Sequence, residues 1–252
     1  MRIVVGIPSR MGSSRYPGKP LKKILNKTMI EHCFIRCSLS KLPNELFVTT
    51  PNTEIKTVIE KCNGNVIMTS DDIDRPGLRV AAAAETLDLN DEDIVVVVQG
   101  DEPLLHPDMI DLAIEPLLKD SSIMVSNLCA EASEADWNDP GEIKVVCDLN
   151  MNALFMSRSP IPSIDHQEKR AKWWKQVCVM PFRWSFMKKF NHSLIPTPLE
   201  LQESVEMNRA IEHGYKVKMI PSKYQTKSVD TNEDRIVVEK MMAIDEIYKL
   251  YK

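Results

Sequence analysis

Gly6-Ile7-Pro8-Ser9-Arg10-Met11-Gly12-Ser13-Ser14-Arg15-Tyr16-Pro17-Gly18-Lys19-Pro20-Leu21 follows the apolar run Ile3-Val4-Val5. The run reads as the first strand of a parallel sheet. A loop leaving the carboxyl end of such a strand lies where open α/β sheets bind ligands. Gly12, Ser13 and Ser14 are small enough to let main-chain N–H groups approach an anion, as in a phosphate-binding nest. Arg10, Arg15 and Lys19 add three cations within ten positions. Arginine suits bidentate phosphate contacts and lysine acts as a point charge. The loop is neither a Walker A sequence nor a GxGxxG fingerprint. It reads as a polyphosphate site, against the plainer reading of a solvated surface loop.

Working outward, strands and helices alternate. Thr28-Met29-Ile30-Glu31 is a capping box opening a helix with Ile30, Cys33, Phe34 and Cys37 on one face. Strands are expected at 46–50 and 66–68, with a helix over 54–61 that Asn63-Gly64 ends. A helix over 79–87 carries four consecutive alanines, Ala81 to Ala84. Ile94-Val95-Val96-Val97-Val98 is apolar throughout, as a strand covered on both faces should be. A helix over 110–118, strands over 123–128 and 143–148, and a turn at 136–141 follow. One strand is expected over 176–182 and a short helix over 184–190. Thr197-Pro198-Leu199-Glu200 starts a helix running to His213. A strand at 216–220 and a terminal helix capped by Thr231 complete the chain. The pattern predicts an α/β fold, a doubly wound and mostly parallel sheet, as one domain over 1–252.

The valine strand ends in Gln99-Gly100-Asp101-Glu102-Pro103. Asp101 therefore faces the same crevice as the first loop, where a carboxylate can hold Mg²⁺ together with substrate phosphates. Lys144 has two open readings, a phosphate contact or a solvent-facing lysine. Glu200, Glu203 and Glu206 lie at spacings of three, near one helix face. For Glu203 a solvated helix edge and a functional role are both open.

The chain has 252 residues, 43% of them apolar and 27% charged, with a net charge of −4. That balance argues against a non-specific nucleic-acid binder. No run is long enough to span a membrane, and a strand follows Met1-Arg2 directly, so a cytoplasmic protein is expected. The six cysteines form no CxxC pair and read as buried small hydrophobes. Lys169, Arg170, Lys172 and Lys175 surround Trp173-Trp174, which reads as an exposed loop or subunit contact.

The run from Ile7 to Leu21 resembles the amino-terminal signature of the 3-deoxy-manno-octulosonate cytidylyltransferases, CMP-sugar synthetases of the nucleotide-diphospho-sugar transferase fold. Further ordered segments are similar to that family: Gln99 to Pro103, Ile143 to Val146, Ser157 to Pro162, the Pro198-Leu199-Glu200 helix, and Val229-Asp230-Thr231-Asn232-Glu233-Asp234. The resemblance implies nucleotidyl transfer from CTP to a small acidic acceptor. Lys19, Arg10 and Asp101 would be catalytic, and Mg²⁺ would sit on Asp101 and Asp230. Arg10, Gly12, Ser13, Ser14, Arg15, Lys19, Arg79 and Gln99 would bind the nucleotide. The acceptor would meet Gln176, Met180, Glu203 and Met207, with residues 150–200 forming an arm of a homodimer.

Two departures accompany the resemblance. In Ile73-Asp74-Arg75-Pro76-Gly77-Leu78-Arg79, only Arg79 matches the family's base-contacting run. The family's sugar-contacting His, Tyr and Gln fall on Gln176, Met180 and Met207. Lost hydrogen-bonding groups of this kind discriminate strongly among polyhydroxylated ligands, at ~1–3 kcal/mol each. An acceptor other than unmodified 3-deoxy-manno-octulosonate is therefore expected. Another nucleoside triphosphate and a non-catalytic binding protein remain alternatives, the latter disfavoured by the presence of Lys19, Asp101 and Asp230.

Overall fold

The computed structural model describes residues 1–13, 15–163 and 172–252. In chain order the elements are β1 (Ile3–Pro8), a 3₁₀ turn (Lys19–Leu21), β2 (Lys23–Ile24), β3 (Lys27–Thr28), α1 (Met29–Ser38), β4 (Glu45–Thr50), α2 (Thr53–Lys61), β5 (Asn65–Met68), α3 (Pro76–Ala84), β6 (Ile94–Val98) and α4 (Pro107–Lys119). Then come β7 (Ser126–Glu131), α5 (Glu134–Asn138), β8 (Lys144–Cys147), β9 (Ala153–Ser157), β10 (Trp174–Val177), β11 (Val179–Arg183), α6 (Trp184–His192), α7 (Pro198–Glu203), α8 (Met207–Glu212), β12 (Lys218–Ser222), α9 (Asn232–Ala243) and α10 (Glu246–Lys249).

The first sheet has the order β11-β6-β1-β4-β5. Its four amino-terminal strands run parallel, and β11 joins β6 antiparallel. Every residue of β1 and β6 is buried, because helices cover both faces. One apolar cluster packs α1, α2 and α4 on one face; another packs α3 and α6 on the other. The Thr28 capping box forms as expected. Asn63, at φ 57, ends the α2 connection in the left-handed region.

The chain also builds a second five-stranded sheet, β12-β7-β10-β8-β9, which the alternation had not separated from the first. Two local expectations change with it. Residues 174–183 form two strands rather than one. The chain leaves the second sheet at Val177 and enters the first at Val179, with Cys178 between them. Asn127, fully buried, spans the junction by donating to the Val177 carbonyl (2.7 Å). The expected turn at 136–141 begins as a short helix, α5, because Ser133 and Asp136 form a capping box.

The single helix expected over 197–213 is broken. α7 begins with the Thr197–Glu200 capping box, but Ser204 adopts φ 54, ψ 46 and α8 starts afresh. Buried Glu200 and Arg209 bridge the break through a two-pronged ion pair at 2.6 and 2.7 Å. Arg209 also lies over the Phe190 ring, 4.8 Å from its centroid. At the carboxyl end, α9 and α10 fold back on α1. Arg36, with no exposed side-chain surface, pairs with Asp245 at 2.5 Å, and its Nε donates to Tyr251.

Within the basic stretch, Lys169 and Arg170 lie outside the described residues. Lys175 is buried, paired with Asp136 at 2.8 Å and Glu142 at 3.2 Å, rather than exposed. Trp173 stacks on Trp137 with ring centroids 5.3 Å apart. No helix among the described residues is long and apolar enough to cross a membrane.

Candidate active site

A cleft of about 460 Å³ opens at the carboxyl ends of β1 and β6 and extends to β10, β11 and the start of α8. That volume is in the range of small-molecule sites. The loop after β1 forms one wall. It is closed by the Gly18 N–H donating to the Met11 carbonyl (3.1 Å), and tied to α2 where the Met11 N–H donates to Asn52 Oδ1 (2.9 Å). Gly18, at φ 68, turns the chain into the 3₁₀ segment that carries Lys19.

Three groups far apart in sequence converge there. Lys19 Nζ donates to Asp101 Oδ2 (2.8 Å), Asp230 Oδ1 (3.0 Å) and the Val229 carbonyl (3.1 Å). The Val229 N–H donates back to the Asp101 carbonyl at 2.9 Å, which locks the two carboxylate-bearing loops together. Burial alone would depress the Lys19 pKa, but Asp101 and Asp230 outweigh it and hold the ammonium above its ordinary range. Arg15 adds an ion pair to Asp230 Oδ2 at 3.1 Å. Arg10, further out, pairs with Asp74 at 3.0 Å.

Asp101 Oδ1 is buried and has no hydrogen-bond partner. An unmatched carboxylate oxygen in a cleft is costly unless something positive arrives. With Asp230 beside it, the donor set fits a hard cation that takes one or two carboxylates and completes its shell with phosphate oxygens and water. Among the described residues no group of three or more His, Cys, Asp or Glu forms a self-sufficient metal cage. Ser9 Oγ is likewise buried and unpartnered on the cleft wall. The neighbouring Glu102 accepts from Thr226 Oγ1 (2.6 Å), and burial, followed by the Asp101 charge, pushes its carboxyl up to about 8.

Arg10, Gly12, Ser13, Arg15, Lys19, Arg79, Gln99, Asp101, Gln176, Met180, Met207 and Asp230 all line this one cleft. Ser14 lies outside the described residues. Arg79 differs from expectation in its contacts. Its guanidinium donates to Thr69 Oγ1 and the Ser70 carbonyl, both at 2.9 Å, and to the Ile73 carbonyl. It braces the 69–73 loop rather than offering a free fork to a base.

Two other expectations are corrected. Glu203 does not line the cleft: its carboxylate accepts from Ser157 Oγ and the Arg158 N–H, each at 2.8 Å, fastening α7 to the end of β9. The left-handed turn at Ser204 instead carries Glu206 to the cleft wall. Lys144 reaches neither phosphate nor solvent. It is fully buried and donates to the carbonyls of Asp139 (2.7 Å) and Glu142 (2.8 Å), shaping the loop that supplies Gly141 and Glu142 to the cleft.

Glu206 and Arg158 were not singled out as contact residues by the sequence reading. Both sit in segments the family resemblance covers. Their signal was the helical glutamate spacing and the Ser-Arg-Ser-Pro run, but only the break at Ser204 decides which glutamate faces the cleft. Gln176 turns its amide nitrogen to Asn127 Oδ1 (2.6 Å), so that donor is committed within the protein.

A family model described as cytidylyltransferase matches residues 4–220. The 3-deoxy-manno-octulosonate cytidylyltransferase 2 of Hydrogenovibrio crunogenus is 37% identical over 250 residues, covering 96% of this chain and 98% of that protein. The 8-amino-3,8-dideoxy-manno-octulosonate cytidylyltransferase of Shewanella sediminis is 37% identical over 248 residues, covering 97% and 100%. A solved CMP:2-keto-3-deoxy-manno-octonic acid synthetase complexed with CTP superposes with a TM-score of 0.89 at 30% identity, over 96% of this chain and 99% of that one. With its mixed α/β architecture and the cleft at the carboxyl ends of its parallel strands, the chain belongs to the cytidylyltransferase family.

Proposed function

We propose that the protein transfers CMP from CTP to an acidic eight-carbon sugar of the 3-deoxy-manno-octulosonate type, releasing pyrophosphate. The observation that carries the reading is the Lys19 ammonium held between Asp101 and Asp230 in a cleft walled by the cationic first loop. The relatives named for this reaction support the substrate class.

An acceptor hydroxyl oxygen forms the new bond to the α-phosphorus as the bond to the pyrophosphate oxygen breaks. The hydroxyl proton leaves to water. Arg10, Arg15, Lys19 and the Gly12–Ser13 main chain would hold the triphosphate and stabilise charge on the departing pyrophosphate. Asp101 and Asp230 would hold Mg²⁺, which when bound neutralises phosphate charge. Lys19 must then exchange its carboxylate partners for phosphate oxygens as substrate enters. Arg158 donates to the carbonyls of Glu203, Pro140 and Gly141 and forms no ion pair among the described residues. Its charge suits the acceptor carboxylate. Positioning and charge account for such a transfer without a covalent nucleophile.

A homodimer is part of the same reading. Leu149, Leu154, Ile195, Leu199 and Leu201 are exposed, and subunit contact would cover apolar side chains of this kind. The test is pyrophosphate release from each of the four common nucleoside triphosphates with Mg²⁺ and either 3-deoxy-manno-octulosonate or its 8-amino-3,8-dideoxy counterpart. Turnover is expected with CTP and abolished by a chelator. Equal turnover of all four nucleotides, or none with CTP, would refute the reading.

A further inference from the structure

Tyr251, just past α10, is the hub of a hydrogen-bonded chain that runs behind the cleft. Arg36 Nε donates to its Oη at 2.9 Å, and the same oxygen lies 3.0 Å from His32 Nδ1. His32 Nε2 in turn lies 2.8 Å from the Ile24 carbonyl. The donors and acceptors fit in one direction only. A carbonyl only accepts, so Nε2 carries the imidazole proton. Burial holds the ring neutral at pH 7, so Nδ1 accepts and the Tyr251 hydroxyl donates to it. Arg36, which only donates, supplies the bond that the hydroxyl oxygen accepts. His32 and Arg36 are both fully buried, one turn apart on the same face of α1.

Each branch of this chain ends on a segment that carries one member of the Lys19 cluster. Ile24 belongs to β2, directly after the 3₁₀ turn that holds Lys19. Arg36 Nη1 donates to the Leu105 carbonyl at 3.2 Å, on the loop that follows Asp101. Arg36 Nη2 pairs at 2.5 Å with Asp245, which joins α10 to α9, and α9 starts just past Asp230. Val238 and Met242 of α9 pack with Leu104 and Val229, one apolar neighbour from each carboxylate-bearing loop. Lys19 holds Asp101 at 2.8 Å and the Val229 carbonyl at 3.1 Å, and bonds of this length weaken steeply when their groups shift. The cluster therefore depends on the register of three segments distant in sequence, which the buried network joins from behind.

Building on the CMP-transfer reading, we propose that Tyr251 is a positioning residue: through Arg36 and His32 its hydroxyl fixes the segments that bear Lys19, Asp101 and Asp230, and so presets the cluster for a magnesium-bound triphosphate.

The experiment compares the full chain with two variants. Tyr251→Phe keeps the ring and removes the hydroxyl. Ser126→Ala removes a buried hydroxyl that donates to the Ala113 carbonyl at 2.7 Å, away from the clasp, and represents a merely structural loss. The first readout is hydrogen exchange of the Val229 N–H, which bonds to the Asp101 carbonyl, in the free chain. It is expected to quicken roughly tenfold in Tyr251→Phe and less than about threefold in Ser126→Ala. The second is calorimetric titration with CTP at fixed Mg²⁺, where affinity is expected to fall roughly tenfold in Tyr251→Phe and to hold in Ser126→Ala. The acceptor KM should stay within about twofold in both variants, because the network does not reach α8. Equal exchange at Val229 in the two variants overturns this inference and leaves CMP transfer standing. So does unchanged CTP affinity in Tyr251→Phe. An unaltered chain that neither binds nor turns over CTP sinks the underlying reaction instead, and the exchange comparison then still decides whether Tyr251 holds the cluster.

Discussion

Lys19 shows how one side chain can hold a site together before substrate arrives. Its ammonium keeps two carboxylates within hydrogen-bonding distance that would otherwise repel each other. Its raised pKa means that its pairing stabilises the fold below the ordinary lysine pKa and is lost only as pH climbs past the raised value. Asp101→Asn keeps the Lys19 contact available but removes the charge beside Oδ1. Steady-state pyrophosphate release should fall at least about 10²-fold in kcat, the scale of losing one well-placed electrostatic group, with little change in melting temperature. Lys19→Met should cost turnover on the same scale and also weaken CTP binding, read as a smaller thermal shift with CTP. Lys19 and Asp101 were legible as candidates from their places after the first strand and after the valine strand, whereas Asp230, which merely precedes a cap, was marked only by the family resemblance. For Glu203 the spacing left both readings open, because helical spacing alone does not say which of three glutamates faces a cavity.

At the scale of elements, the α7–α8 break decides the shape of the acceptor end. Ser204 is a non-glycine residue in the left-handed region, which costs roughly 1–2 kcal/mol for an ordinary side chain. Ser204→Gly should therefore leave stability unchanged or raise it slightly, whereas Ser204→Val should lower it by about 1–2 kcal/mol in chemical denaturation. The break is paid for by Glu200 and Arg209, both almost fully buried. Glu200→Gln leaves the arginine charge uncompensated and should destabilise by about 3 kcal/mol, a larger loss than any surface ion pair would give. The capping box at Thr197 was readable because it is made within four residues; the break was not, because long-range partners impose it.

At the scale of the whole molecule, the carboxyl-terminal helices act as a clasp on α1. His32 lies beneath them, with its ring nitrogens 2.8 Å from the Ile24 carbonyl and 3.0 Å from Tyr251 Oη. Burial, reinforced by Arg36, pushes its pKa down to about 4. Because the unfolded chain takes up this proton near 6.5 and the folded chain does not, the His32 contribution should be lost as pH falls from 6.5 towards 4, by about 2 kcal/mol at pH 5, while buried Glu102 titrates in the opposite sense over the same interval. Denaturation midpoints of the chain and of His32→Gln at pH 7 and 5 measure this: the chain should lose about 2 kcal/mol more than the variant between the two pH values. Asp245→Asn, which leaves buried Arg36 without its carboxylate, should destabilise at both pH values by about 3 kcal/mol.

By itself the sequence determined the local elements and the chemistry they present. A capping box, a buried valine run and a loop of small and cationic residues act through neighbours a few positions away, so their consequences can be read without knowing the rest of the chain. The parallel first sheet and its ligand crevice follow from that alternation. Tertiary structure alone decided that 174–183 is shared between two sheets, that Lys144 is buried, that Arg79 braces a loop, and that Glu206 rather than Glu203 reaches the cleft. The sharing between sheets and the position of Glu206 depend on partners dozens of residues distant, while the near contacts of Lys144 and Arg79 form only once packing has buried them, where the satisfaction of buried polar groups outweighs local preference.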